Sequence, residues 1–159
     1  MGFLFSLLAG VLYAFKPGQP YLGAAALLVS GVFDVLDGAV ARAIHRVSKT
    51  GAFNDSTLDR LAEVAVYAGI IYGGYTNPVL VLLTLAFSLL VSYARAKGDS
   101  LGVSLSGIGI GERAERLLVL IVFSLIGYVW IGVVIVLILA IVTFVQRYLA
   151  ILQKLRTSG

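Results

Sequence analysis

Asp34, Asp37, Asp55 and Asp59 fall within residues 34–59 of a 159-residue chain and make up half of its eight acidic residues. All four sit inside or beside segments apolar enough to span a membrane. A charge held in hydrocarbon is costly, so carboxylates placed there mark a functional site with a partner to be named. Asp34 and Asp37 stand at i, i+3, and Asp55 and Asp59 at i, i+4, so each pair shares one helix face. The short basic loop between the pairs makes their helices antiparallel and brings the carboxylates to matching depth. Four carboxylates in a small volume raise one another's pKa unless a cation stands among them. The chain has no cysteine, so the ligands are oxygen, a set that favours Mg2+, Mn2+ or Ca2+. Gly38 and Ala41 leave room beside the carboxylates, and Arg42, one turn after Gly38, offers a bidentate contact to a phosphate.

The elements that must position these residues follow from composition. The chain is 60% apolar and 13% charged, with a mean hydropathy of +1.01. A soluble domain is about 45–50% apolar and about 25% charged, so this is an integral membrane protein. Residues 2–15 are apolar but reach only about 21 Å as a helix, short of the ~30 Å hydrocarbon thickness. No basic n-region precedes them, so they read as the second part of a spanning helix rather than as a signal peptide. Lys16-Pro17-Gly18-Gln19-Pro20 breaks that helix. A second helix is expected from about Tyr21 to Ile44, a third from about Ala52 to Tyr72 and a fourth from about Val79 to Lys97. A fifth starts near Glu112 after a glycine- and serine-rich loop over 98–111. Residues 117–145 are almost continuously apolar and hold two spans if the flanking Arg113–Arg116 and Gln146–Leu152 segments contribute, turning between Gly127 and Gly132 at the interfacial Tyr128 and Trp130. The expected fold class is all-α: a polytopic transmembrane bundle of six helices in one domain, the first helix incomplete.

Charge placement agrees with this count. Folded up and down, the chain puts every Lys and Arg except Lys16, and all eight acids, on one side. The positive-inside rule makes that side cytoplasmic. One membrane face carries the chemistry and the other is nearly bare.

Written out, the spacing is D-x-x-D-G-x-x-A-R-x8-G-x3-D-x3-D, which resembles the signature of the CDP-alcohol phosphatidyltransferase family at Asp34, Asp37, Gly38, Ala41, Arg42, Gly51, Asp55 and Asp59. The resemblance runs from the second helix to the end of the chain. It implies transfer of a phosphatidyl-type group from a CDP-linked lipid to the hydroxyl of a small alcohol, with release of CMP. By the same resemblance two Mg2+ or Mn2+ ions are held by Asp34, Asp37, Asp55 and Asp59, and Asp59 is the general base. Gly38, Arg42 and Ser48 are then contacts to the CDP-lipid. A transporter's cation or proton pathway would also use intramembrane carboxylates, but it does not require this full spacing.

The second half bears on the acceptor. Ser92-Tyr-Ala-Arg95-Ala-Lys97 ends the fourth helix, Glu112-Arg113-Ala-Glu-Arg116 opens the fifth, and Arg147 lies near the end of the sixth. Cations converging beside a metal site form a phosphate pocket. The arrangement resembles the phosphatidylinositol-phosphate synthase branch, which implies inositol phosphate as acceptor and Arg95, Arg113, Arg116 and Arg147 as its phosphate ligands. The G-K-x-K-T segment of phosphatidylglycerophosphate synthases is missing, although glycerol phosphate or another alcohol stays the alternative acceptor. Relatives carry an N-terminal interfacial helix and a complete first span, which this chain is expected to lack. Glu63 is outside the signature and is expected to pair with Arg60 or line the cavity. His45 reads as a loop residue. Lys154 and Arg156 read as lipid-headgroup contacts. Ala62, Ala65, Ala68, Gly69, Gly73 and Gly74 suggest close helix packing, including a homodimer seam. No nucleic-acid partner is expected.

Overall fold

The computed structural model describes residues 2–43 and 48–157, with residues 38–43 and 157 described by their backbone alone. Six α-helices follow one another: α1 (Gly2–Phe15), α2 (Pro20–Ala43), α3 (Lys49–Tyr72), α4 (Pro78–Ser100), α5 (Arg113–Leu125) and α6 (Val129–Thr157). Among the described residues, three of these helices are long and apolar enough to cross a membrane, over Pro20–Asp37, Pro78–Ser100 and Val129–Arg156. The expected six-helix order and its turns are as read from the sequence.

Local chemistry sets the ends. Ser48 Oγ accepts from the Gly51 N–H at 2.9 Å and caps α3, so that helix begins at Lys49, three residues before its expected start. Asn77 Oδ1 accepts from the Val79 N–H at 2.8 Å, and Pro78 occupies the first turn of α4. Glu112 and Glu115 close a capping box over α5. Gly127, at φ +83°, makes the turn into α6.

α1 packs against both α2 and α3, α2 meets α5, and α6 packs against α4 and α5. Tyr13, Leu27, Ile70, Val81, Val133 and Val136 are fully buried between them. Outward-facing positions are apolar as well, with Leu4, Val32, Val79, Leu118, Trp130 and Ile138 among the exposed side chains. A protein solvated by lipid is apolar outside as well as inside, so packing rather than hydropathy separates its two faces. The small-residue stripe is used within the chain. A Cβ at Gly10 would lie 2.6 Å from the Ala65 carbonyl oxygen, one at Gly69 would strike the Gly10 backbone, and one at Gly73 would strike the Tyr13 carbonyl. Close helix packing is therefore realised within the chain, where Gly69 and Gly73 serve the α1–α3 contact. Ser6, Ser30 and the Gly2 carbonyl form a buried hydrogen-bond chain (2.7 and 2.8 Å) that joins α1 to α2.

The segment between α4 and α5 does not simply cross the surface. Lys154 Nζ donates to the Ser104 carbonyl (2.7 Å), Arg147 Nε to the Ile108 carbonyl (2.9 Å), and the Gly111 N–H to Thr143 Oγ1 (2.8 Å). Positions 104, 108 and 111 thus run antiparallel to α6 from 154 to 143, a descent of about 16 Å at 1.5 Å per residue. Gly109 adopts φ +116° where the strand of chain passes Thr143. Irregular backbone packed against a helix is tolerated where protein groups satisfy it, and here side chains of α6 do so. α5 consequently starts deep in the bundle and needs only 13 residues. Lys154, read from the sequence as a lipid-headgroup contact, also pins this loop through its ammonium.

Candidate functional site

Asp34 and Asp37 lie on the second half of α2, and Asp55 and Asp59 on the first half of α3. All four line one cavity of about 260 Å3, together with Gly51, Ala62, Arg113 and, from α1, Gly2 and Ser6. A Cβ at Gly2 would strike the Asp34 carboxylate, so α1 brings its least bulky residue to the cavity wall. The shared depth expected from the antiparallel pairing is realised. The carboxylates do not stand alone, however. Arg113 Nη1 lies 2.8 Å from Asp59 Oδ1 and 3.4 Å from Asp34 Oδ2, bridging α2 and α3 from the first position of α5. A guanidinium between two carboxylates offsets part of their mutual repulsion. Among the described residues, no three acidic or histidine side chains are gathered into a ready cation site. The oxygen-only donor set on two facing helices nonetheless suits a hard divalent cation, which would draw the aspartates together.

The expected cationic cluster forms, with its members differently employed. Arg60, Arg95, Arg113, Arg116 and Arg147 line a second pocket of about 480 Å3, which shares Asp55 and Asp59 with the first. Arg95 is exposed at its edge. Arg147, 3% exposed, donates to the carbonyls of Ile108 (2.9 Å) and Val91 (3.1 Å) and to Glu112 Oε1 (3.2 Å). Arg116, 2% exposed, donates to the Gly111 carbonyl (2.7 Å) and pairs with Glu63 (3.1 Å). Both hold the descending loop in place, which leaves Arg95 and Arg113 as the freer cations of the original four.

Two further relationships correct the sequence reading. Glu63 pairs with Arg116 rather than Arg60. Arg60 turns back to the Ser56 carbonyl (2.9 Å) and stands 3.5 Å from Asp59, which makes it a site residue that the spacing did not single out. The signal for Glu63 was present: an acid amid Ala62, Val64, Ala65 and Val66 must find a cation inside the bundle. Ser48 Oγ is engaged as the α3 cap. Gly38 and Arg42 belong to α2, but their side-chain surroundings lie outside the described residues, as does His45.

A third space opens between α2 and α5. It is an apolar groove of about 610 Å3 walled by Leu28, Val32, Val35, Leu117, Leu118 and Ile121, with Asp34, Asp59 and Arg113 at its polar end. The carboxylate cavity, the cationic pocket and the apolar groove therefore all meet at Asp59 and Arg113.

Comparison with known proteins agrees with this geometry. The family model for CDP-alcohol phosphatidyltransferase matches residues 1–146. The chain is 43% identical over 147 residues to the archaetidylinositol phosphate synthase of Pyrococcus horikoshii, covering 92% of this chain and 77% of that protein. It is 42% identical to the enzyme of the same name from Methanothermobacter thermautotrophicus, covering 98% and 81%. Crystal structures of Mycobacterium tuberculosis phosphatidylinositol phosphate synthase superpose with TM-scores of 0.82 (manganese and citrate bound; 26% identity, 94% and 78% coverage) and 0.83 (CDP-DAG bound; 25% identity, 94% and 82% coverage). The aspartate spacing, the helix order and these matches agree, and the chain belongs to the CDP-alcohol phosphatidyltransferase family.

Proposed function

We propose that the enzyme transfers the lipid phosphate of a CDP-linked lipid to a hydroxyl of inositol phosphate and releases CMP at the cytoplasmic face of the membrane. The observation that carries this reading is the three-way junction at Asp59 and Arg113. An apolar groove suits lipid chains, a carboxylate cavity suits a metal-bound diphosphate, and a cationic pocket suits a phosphorylated acceptor. The reaction needs these three chemistries at one phosphorus atom. Related enzymes named for inositol phosphate lipids, and a neighbouring structure with CDP-DAG bound, support it.

In this reading Asp34, Asp37, Asp55 and Asp59 hold two divalent ions, Mg2+ or Mn2+, whose positive charge would offset the charge of the diphosphate. Asp59 stands where the three spaces meet and takes the proton of the attacking hydroxyl. The hydroxyl oxygen bonds to the lipid-side phosphorus as the bond from that phosphorus to the CMP oxygen breaks. Arg95 and Arg113 orient the acceptor's phosphate, and the Gly38–Arg42 turn of α2 together with Ser48 contacts the nucleotide side.

The test is CMP release by purified enzyme given CDP-archaeol or CDP-diacylglycerol, Mg2+ or Mn2+, and a panel of acceptors that includes inositol phosphate, glycerol phosphate and free inositol. Preferential release with inositol phosphate is expected. Preference for glycerol phosphate overturns the acceptor assignment, and no release with any acceptor overturns the activity.

A further inference from the structure

Below the junction, α3 and α5 face each other through a second charged pair. Glu63 lies one turn after Asp59 on α3, and Arg116 one turn after Arg113 on α5. The two helices are thus joined by two rungs: Asp59–Arg113 at 2.8 Å and Glu63–Arg116 at 3.1 Å. The upper rung is open to the site. The lower one is buried, with Glu63 10% and Arg116 2% exposed. A buried ion pair is a poor source of net stability, because desolvating two charges offsets most of their attraction. Its geometry is the better clue to its use.

A small cavity of about 20 Å3 lies beside the lower rung, lined by Glu63, Arg113, Arg116, Ser6 and Tyr67 among others. Three buried polar atoms of its lining residues have no hydrogen bond: Glu63 Oε2, Arg113 Nε and Arg116 Nε. A buried water needs about 10–15 Å3 and two to four polar partners. This cavity supplies the volume, two N–H donors and one carboxylate acceptor. We infer that Glu63 is a positioning residue for the catalytic junction: with Arg116 and one buried water, it holds the Arg113 guanidinium in the orientation that faces Asp59 and the acceptor. The water accepts from the Nε–H groups of Arg113 and Arg116 and donates to Glu63 Oε2. The Nη groups of Arg113 then stay free for the aspartates and the acceptor phosphate. Arg116 contributes at its other end by holding the Gly111 carbonyl at 2.7 Å, two residues before Arg113.

The inference rests on the proposed role of Arg113 toward the acceptor, and its test is kept separable from that role. Glu63→Gln preserves shape but removes the charge and gives the cavity an amide where a carboxylate accepted. The variant is expected to raise KM for the acceptor about tenfold while KM for the CDP-lipid changes less than about threefold. Loss of folded protein lowers the apparent kcat alone, so a fall in rate with both KM values unchanged means that Glu63 is merely structural and overturns the inference. The acceptor used is the one the parent enzyme turns over, whichever the panel selects. A crystal structure of the enzyme supplies a readout independent of activity. Density for one water bridging Glu63, Arg113 and Arg116 is expected, and a dry cavity overturns the bridging arrangement.

Discussion

Arg113 Nη1 stands 2.8 Å from Asp59 Oδ1, so the first residue of α5 meets the last aspartate of the α3 pair across the centre of the bundle. The pairing depends on the descending loop: only a helix that starts some 16 Å down α6 can present its first residue at the depth of the aspartates. Once there, Arg113 belongs to every space around the junction. Asp59 and Arg113 are where the base, the acceptor and the lipid phosphate are brought together in the proposed reaction.

Asp59→Asn keeps the size of the side chain and removes its basicity. CMP release should fall about 10²–10⁴-fold. CDP-lipid binding, measured by calorimetry in detergent, should change far less. Turnover within a few-fold of the parent would remove Asp59 as the base.

Arg113→Lys keeps one positive charge and loses the planar fork. The inositol phosphate KM is expected to rise roughly tenfold or more, with a much smaller change for the CDP-lipid. Steady-state kinetics with each substrate varied in turn reads this directly, and an unmoved acceptor KM would place the phosphate pocket elsewhere.

Arg147→Met leaves the part-buried Ile108 carbonyl without this donor, removes the second donor to the helical Val91 carbonyl, and unpairs Glu112. Each unsatisfied group costs about 1–3 kcal/mol. The melting temperature in detergent should drop by about 5 °C or more, and limited proteolysis should cut more readily within residues 101–112. A stable, protease-resistant variant would mean that the loop is held by other contacts.

Gly69→Ala replaces a helical glycine by the best helix former, a change worth up to about 1 kcal/mol of stability on propensity alone. The Cβ would collide with the Gly10 backbone, so destabilisation is expected instead. Thermal unfolding in detergent distinguishes the two by sign.

Dialysis against a chelator should abolish CMP release, and Mg2+ or Mn2+ should restore it, because the oxygen-only aspartate set suits a hard cation. Asp34→Asn should raise the metal concentration needed for half-maximal rate. Undiminished activity after chelation would exclude a metal role for the four aspartates.

Much of this architecture was legible in the chain alone. Hydropathy and the breaks at Pro17, Pro20, Asn77-Pro78 and Gly127 yielded six helices, because backbone groups in lipid must be satisfied within a helix and few alternatives exist. The i, i+3 and i, i+4 spacings put the aspartates on matching faces, since helix geometry alone decides that. Partner choice among the cations was not legible. Arg95, Arg113, Arg116 and Arg147 are alike as letters, and their spacing names neither Glu63 nor the carbonyls of Val91, Ile108 and Gly111 as partners. Those assignments depend on how far the loop between α4 and α5 descends, which is set by Thr143, Arg147 and Lys154 on a helix some thirty to fifty residues later. The sequence by itself determined the membrane class, the helices and the carboxylate constellation, because these follow from local periodicity and solvation. The tertiary structure decided which arginines stay open to the pocket and which brace the fold, because that depends on long-range packing that brings distant donors to buried acceptors.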